Sequence, residues 1–85
     1  MQKNILVMEV YVLTVKNEGE IYTYVFKSNT QLKKKLIKVF NDEYNYDYAP
    51  EDRDEIIEDL FNNGYATGDM LNDFAEYKLE KTTLI

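Results

Sequence analysis

The feature that most constrains this chain is the run Ile5-Leu-Val-Met-Glu-Val-Tyr-Val-Leu-Thr-Val15. It is dense in β-branched and aromatic residues, which suit a pleated, half-buried surface and lose rotamer freedom in a helix. Apolar side chains fall at odd and even positions alike. Both faces of such a strand need cover, so it belongs at the centre of a sheet. Lys16-Asn-Glu-Gly-Glu20 follows as a turn signal, with Gly19 able to take positive φ. Residues 21–27, Ile-Tyr-Thr-Tyr-Val-Phe-Lys, read as a second strand, and the two together predict a β-hairpin.

The pattern then changes period. Ser28-Asn-Thr-Gln31 has the S-x-x-Q form of a capping box, and Leu32, Leu36, Ile37, Val39 and Phe40 follow at helical spacing. This predicts a helix over about residues 30–43, with Lys33, Lys34, Lys35 and Lys38 mostly on its outer side. Asn41 to Ala49 has no clear period and reads as a loop or a frayed helix end. Pro50 suits the first turn of a helix, where its missing N–H leaves nothing unpaired, and Gly64 is a natural stop. A second helix over about 50–63 would carry Ile56, Ile57, Leu60 and Phe61 as its apolar stripe. Tyr65 to Asp73, with Thr67-Gly68-Asp69, reads as a loop, a short strand or a turn of helix. Ala75, Tyr77 and Leu79 alternate with Glu76, Lys78 and Glu80 and, with Thr82 to Ile85, read as a final strand. The expected fold is α+β: a three-stranded, mostly antiparallel sheet with two helices on one face, in the order β-β-α-α-β. The final strand is expected beside the first, whose two apolar faces call for neighbours on both edges.

At 85 residues the chain is expected to be a single domain, 1–85. Met8 opens the first strand and offers an alternative start, with residues 1–7 as an added leader. There is no cysteine and no histidine. Disulfides, thiolate zinc sites and cysteine nucleophiles are thereby excluded, and the commonest general base and transition-metal ligand is missing. No apolar run approaches the length of a membrane span, and Ile5–Met8 is too short for a signal-peptide core. The expected compartment is the cytoplasm. Nine lysines against one arginine, with frequent Asn, Ile and Tyr, are the usage of AT-rich codons and point to a low-GC bacterium or its phages.

Charge is unevenly spread. Residues 1–41 carry seven Lys and three Glu, a net +4; residues 42–85 carry three basic and thirteen acidic side chains, a net −10. Asymmetry of this kind marks a charged interaction surface or a solubilising face. Nine of the acids lie between Asp42 and Asp59, where Arg53 is the only basic residue and Tyr44, Tyr46 and Tyr48 alternate with polar residues. On the second helix Glu51, Glu55, Glu58 and Asp59 fall at i, i+4, i+7 and i+8, with Asp52, Glu55 and Asp59 as a neighbouring row. Side chains so spaced lie about 5–6 Å apart at Cβ, comparable with successive phosphates on a nucleic-acid strand. Carboxylates in that array can occupy a basic groove shaped for phosphates, and tyrosine adds a rigid amphipathic contact. The candidate partner-binding residues are Tyr46, Asp47, Tyr48, Glu51, Asp52, Glu55, Glu58 and Asp59. The lysine run on the first helix holds no arginine and no interleaved aromatic, so it reads as a solvated face. The tract from Asp42 to Asp54 does not match a calcium loop, and the three glycines form no phosphate loop. No metal, no cofactor and no enzymatic activity is expected.

Residues 8–85 resemble, in size, charge, absence of Cys and His and the acidic-tyrosine tract Asp42–Asp59, the small acidic proteins with which phages disable host defence. Anti-CRISPR proteins and uracil-DNA glycosylase inhibitors are among them, and several mimic DNA. This is a likeness of style across unrelated folds. Some phage β-β-α-β proteins also open like Met8-Glu-Val-Tyr-Val-Leu-Thr-Val15 and close like Glu76-Tyr-Lys-Leu-Glu-Lys-Thr-Thr-Leu84. The resemblance implies an anti-CRISPR-like inhibitor. Its acidic surface would occupy the basic groove of a nucleic-acid-binding protein or nuclease, without binding nucleic acid or membrane itself. The alternative is a small structural or regulatory interaction module, a homodimer or a sheet-mediated binder, whose acids only confer solubility.

Overall fold

The computed structural model describes residues 8–70 and 73–84. Residues 1–7, on which the reading of a leader falls, lie outside them. Strands β1 (Met8–Asn17) and β2 (Glu20–Lys27) form the expected hairpin. Its two-residue turn holds Glu18 at φ 46° and Gly19 at φ 83°. Positive φ at both central positions is what a type I′ hairpin turn requires, and its twist matches the right-handed twist of the strands. Two helices follow, α1 (Leu32–Tyr44) and α2 (Pro50–Asn63), joined by a 3₁₀ turn at Tyr46–Tyr48. Strands β3 (Tyr65–Met70) and β4 (Asp73–Leu84) close the chain.

The sheet is antiparallel throughout, in the order β2-β1-β4-β3. β1 is central and β4 lies beside it, as its two apolar faces demand. The expected three strands are four. Gly64, left-handed at φ 76°, caps α2 and accepts the N–H of Leu79 at 2.9 Å, which turns the chain back along β4 as β3. Of the readings open for Tyr65 to Asp73 the short strand is the one that forms, although glycine and aspartate are poor strand formers. Gly68 is there for contact: a Cβ on it would stand 2.8 Å from both Ile56 Cδ1 and the Tyr46 hydroxyl. Its bare backbone lets α2 and the 3₁₀ turn sit down on the sheet.

Both helices lie on one face. α1 shows Leu32, Leu36, Phe40 and Tyr44 to the core at a spacing of four, and α2 shows Ile56, Ile57 and Leu60. They meet Leu13 and Val15 of β1, Phe26 of β2, Ala66 of β3 and Ala75, Tyr77 and Leu79 of β4. Phe40 packs edge-on to Tyr77 at 5.0 Å and to Tyr46 at 5.7 Å between ring centres. The hydroxyls of Tyr24 and Tyr44 lie 2.8 Å apart, and those of Tyr46 and Tyr77 3.4 Å. Two details of the expected helices are corrected. The S-x-x-Q capping box does not form; instead Asn29 Oδ1 accepts the Gln31 N–H at 2.8 Å, and the helix starts at Leu32. Phe61, expected in the core, is 44% exposed, because it sits at the margin of the α2 stripe beside Lys33 of α1. Among the described residues no helix is long and apolar enough to cross a membrane.

Candidate acidic interface

The acidic surface is built by α2. Three buried residues, Ile56, Ile57 and Leu60, fix which side of the helix faces the sheet. With about 100° between successive residues, Glu51, Glu55 and Glu58 then point directly away from the core. Asp52 and Asp59 fall on the flank toward β3, and Asp54 on the flank toward α1. Glu51, Asp52, Glu55 and Glu58 are exposed and Asp59 is half-buried. Pro50 opens the helix, and Glu51 and Asp52 lie in its first turn. Their carboxylates there meet the positive end of the helix dipole.

Asp52, Glu55 and Asp59 line one side of a shallow groove of about 190 Å³, with Ile56 at its base and Thr67 and Gly68 of β3 as the other side. The missing side chain of Gly68 is therefore part of the groove wall. Among the described residues no group of three Asp or Glu converges in a way that could hold a metal ion. The acids form a row along the helix, and a row suits a line of separate cations.

Pairing within the chain touches few of these acids. Asp42 takes Lys38 Nζ at 2.7 Å, which raises the lysine pKa. Arg53 is largely buried; it donates to Asp54 at 3.0 Å through Nε and to Asn41 at 3.2 Å through Nη1. Asp47, Glu51, Asp52, Glu55, Glu58 and Asp59 make no ion pair or hydrogen bond with a side chain among the described residues. Five carboxylates of α2 and Asp47 in the turn before it thus have no cationic side-chain partner among the described residues.

The tyrosines divide. Tyr48 is 73% exposed beside Asp47 at the entry to α2 and is available to a partner. Tyr46, counted above among the partner-binding residues, is only 6% exposed and belongs to the core. The left-handed Asn45, at φ 58°, ends α1 and turns the next side chain inward onto Phe40 and Tyr77. Alternation of tyrosine with polar residues gave no sign of this, because a 3₁₀ turn sends residues two apart to different sides. Tyr44 is buried as well; desolvation, then its bond to Tyr24, drives its pKa far above the ordinary tyrosine value.

Sequence reading missed a second feature, the exposed apolar stripe of β2. Ile21 and Val25 are 63% and 62% exposed on the helix-free face. The register of the hairpin, once known, places them there, since odd residues of β2 lie opposite even residues of β1. The chain matches no protein-family model, no curated protein and no solved structure.

Proposed function

We propose that this chain is an inhibitory binding protein of the anti-CRISPR-like kind, which lays the acidic face of α2 into the basic nucleic-acid groove of a host protein. The observation that carries the reading is the set of six carboxylates, Asp47, Glu51, Asp52, Glu55, Glu58 and Asp59, on one helix and its entry turn, with no ion pair among the described residues. Like charges three and four residues apart on a helix repel. A cationic partner relieves that repulsion, and Lys or Arg of a phosphate groove would be matched one by one. Tyr48 supplies an amphipathic contact at the edge of the array. Catalysis has no part in this reading.

The test uses the chain as bait in a bacterial lysate, with captured proteins identified by mass spectrometry. The expected prey are basic nucleic-acid-binding proteins or nucleases, displaced by duplex DNA and released by salt, because association between opposite charges is screened. Glu55→Lys with Glu58→Lys should weaken capture by about 2–5 kcal/mol where the paired cations are desolvated, and by less at a wet rim. Lys34→Glu with Lys35→Glu should change it little. Loss of capture in the lysine variant with retention in the acid variant would place the interface on α1 and refute the reading.

A further inference from the structure

Among the described residues the edge of the sheet formed by β2 is open, with no strand paired to its outer side. Edge strands are ordinarily blunted by proline, a bulge, an inward charge or a short length. β2 has eight residues, no proline and an unbroken register with β1, and its one basic residue is Lys27 at the end.

The outward backbone groups can be assigned. A two-residue turn makes Asn17 and Glu20 a hydrogen-bonded pair, so Glu20, Tyr22, Tyr24 and Phe26 bond to β1. The N–H of Ser28 donates to Glu9 O at 3.1 Å, which continues that alternation. The N–H and C=O of Ile21, Thr23, Val25 and Lys27 therefore point away from the sheet. The side chains of these residues share the helix-free face with Val10 and Val12. On the helix side the same edge borders a cavity of about 440 Å³, floored by Tyr24, Phe26 and Val39 and rimmed by Lys35, Lys38, Asp42 and Glu43.

We infer that β2 pairs antiparallel with β2 of a second copy of this chain, about a two-fold axis through Thr23, to give one continuous eight-stranded sheet. A two-fold that keeps the helices of both copies on one side must set odd residues against odd. Centred on Thr23, the pairing joins Ile21 to Val25 of the second copy, and the reverse, through about six backbone hydrogen bonds. On the helix side it sets Tyr22 of the second copy over Tyr24, above the apolar floor of the cavity. It also sets Glu20 of the second copy against Phe26, on the part of the rim where Lys35 stands without an ion pair among the described residues, Lys38 being paired with Asp42. Both contacts occur twice, as an isologous interface requires. An axis at Tyr24 would oppose Ile21 to Lys27 and carry Glu20 past the cavity, and an axis at Tyr22 would leave Val25 against the turn. The acids of α2 are remote from the seam, since α2 packs over β3 and β4.

The chain lacks cysteine, so Thr23→Cys introduces a single thiol. In a hydrogen-bonded antiparallel pair, Cα atoms about 5.5 Å apart are within disulfide reach. Mild oxidation should convert T23C almost wholly to a covalent dimer, whereas T67C on β3 should stay uncrosslinked. By light scattering the wild-type chain should have twice the mass of 10.1 kDa. Thr23→Pro should halve it, because the lost N–H bonds nothing in the monomer. If T23P disturbs the circular dichroism of the fold, Val25→Lys, which keeps every backbone donor, should dissociate the dimer instead. A wild-type mass of 10.1 kDa at every concentration overturns the inference, whether or not β2 accepts a strand from some other protein. A dimer that survives both substitutions without T23C crosslinking overturns it equally. Neither result bears on the acidic face.

Discussion

Glu55 has four carboxylate neighbours at helical contact spacing: Glu51 and Asp52 one turn before it, Glu58 and Asp59 one turn after. None of the five is paired among the described residues. Replacing Glu55 by Gln keeps the size and nearly the helix propensity of the residue, so the change isolates charge. Glu55 is also beyond the first turn, where the helix dipole no longer favours an acid. Each like-charged contact costs about 0.2–0.5 kcal/mol, so removing four should stabilise the fold by about 1 kcal/mol at low salt. For a domain of this size that is a rise in Tm of about 4–8 °C. The gain should vanish near 1 M salt, where the screening length is about 3 Å. Glu51→Gln is the internal control: its relief of repulsion is offset by loss of a dipole interaction worth about 0.3–1 kcal/mol. Thermal unfolding at low and high salt measures both. An E55Q chain no more stable than wild type at low salt would show that the acids do not strain the helix, and would remove the physical basis for a cationic partner.

Gly68→Ala should destabilise. Its backbone would accept alanine, which alone gains about 0.4–1 kcal/mol, but the new Cβ meets Ile56 Cδ1 and the Tyr46 hydroxyl at 2.8 Å. Overpacking of that kind costs about 1–3 kcal/mol. Adding Ile56→Val, which deletes the clashing methyl, should recover part of the loss in a double-mutant cycle by urea unfolding. The fold should also weaken in alkali. The pKa of Tyr44 is raised in the folded state, so above the ordinary tyrosine value of about 10 the unfolded chain gives up a proton that the folded chain keeps, and stability falls as pH rises. Tyr44→Phe should flatten that fall in a pH series of unfolding curves.

What could be read from the sequence follows from how local each signal is. Pro50 and Gly64 bound α2 at both ends because one tolerates a missing donor and the other a left-handed backbone, and neither property depends on the rest of the fold. The acidic face of α2 follows from the same bounds and the helical period. The sequence leaves β3 open only as one of three readings of Tyr65 to Asp73, because Gly68 is chosen for a contact with Ile56 and Tyr46, which are distant in sequence. The burial of Tyr46 was hidden for a like reason. It depends on a single left-handed residue, Asn45, which alters the direction of everything after it. The capping box failed because Asn29 took the role first, with a shorter reach to the Gln31 N–H.

The two proposed surfaces lie on opposite sides of the molecule, and their combination has a consequence that neither has alone. In the edge-paired dimer the strand order is β3-β4-β1-β2 followed by its mirror sequence from the second copy. With strands about 4.8 Å apart and α2 above β3 and β4, the two acidic helices stand roughly 30 Å from each other. Both lie on the same side of the sheet. A dimer so arranged is bivalent toward a surface bearing more than one basic groove, and the second contact is made at the effective concentration set by a rigid spacer. Dissociating the dimer should therefore weaken binding to a densely immobilised target by roughly 10²–10⁴-fold while leaving the single-site affinity in solution unchanged. Thr23→Pro provides the monomer with every acid of α2 intact. Surface-based binding at high and low target density, beside calorimetry in solution, measures both quantities. Equal losses for T23P in both formats would mean that Thr23 contacts the target itself, and that the β2 edge and the acidic face are parts of one interface.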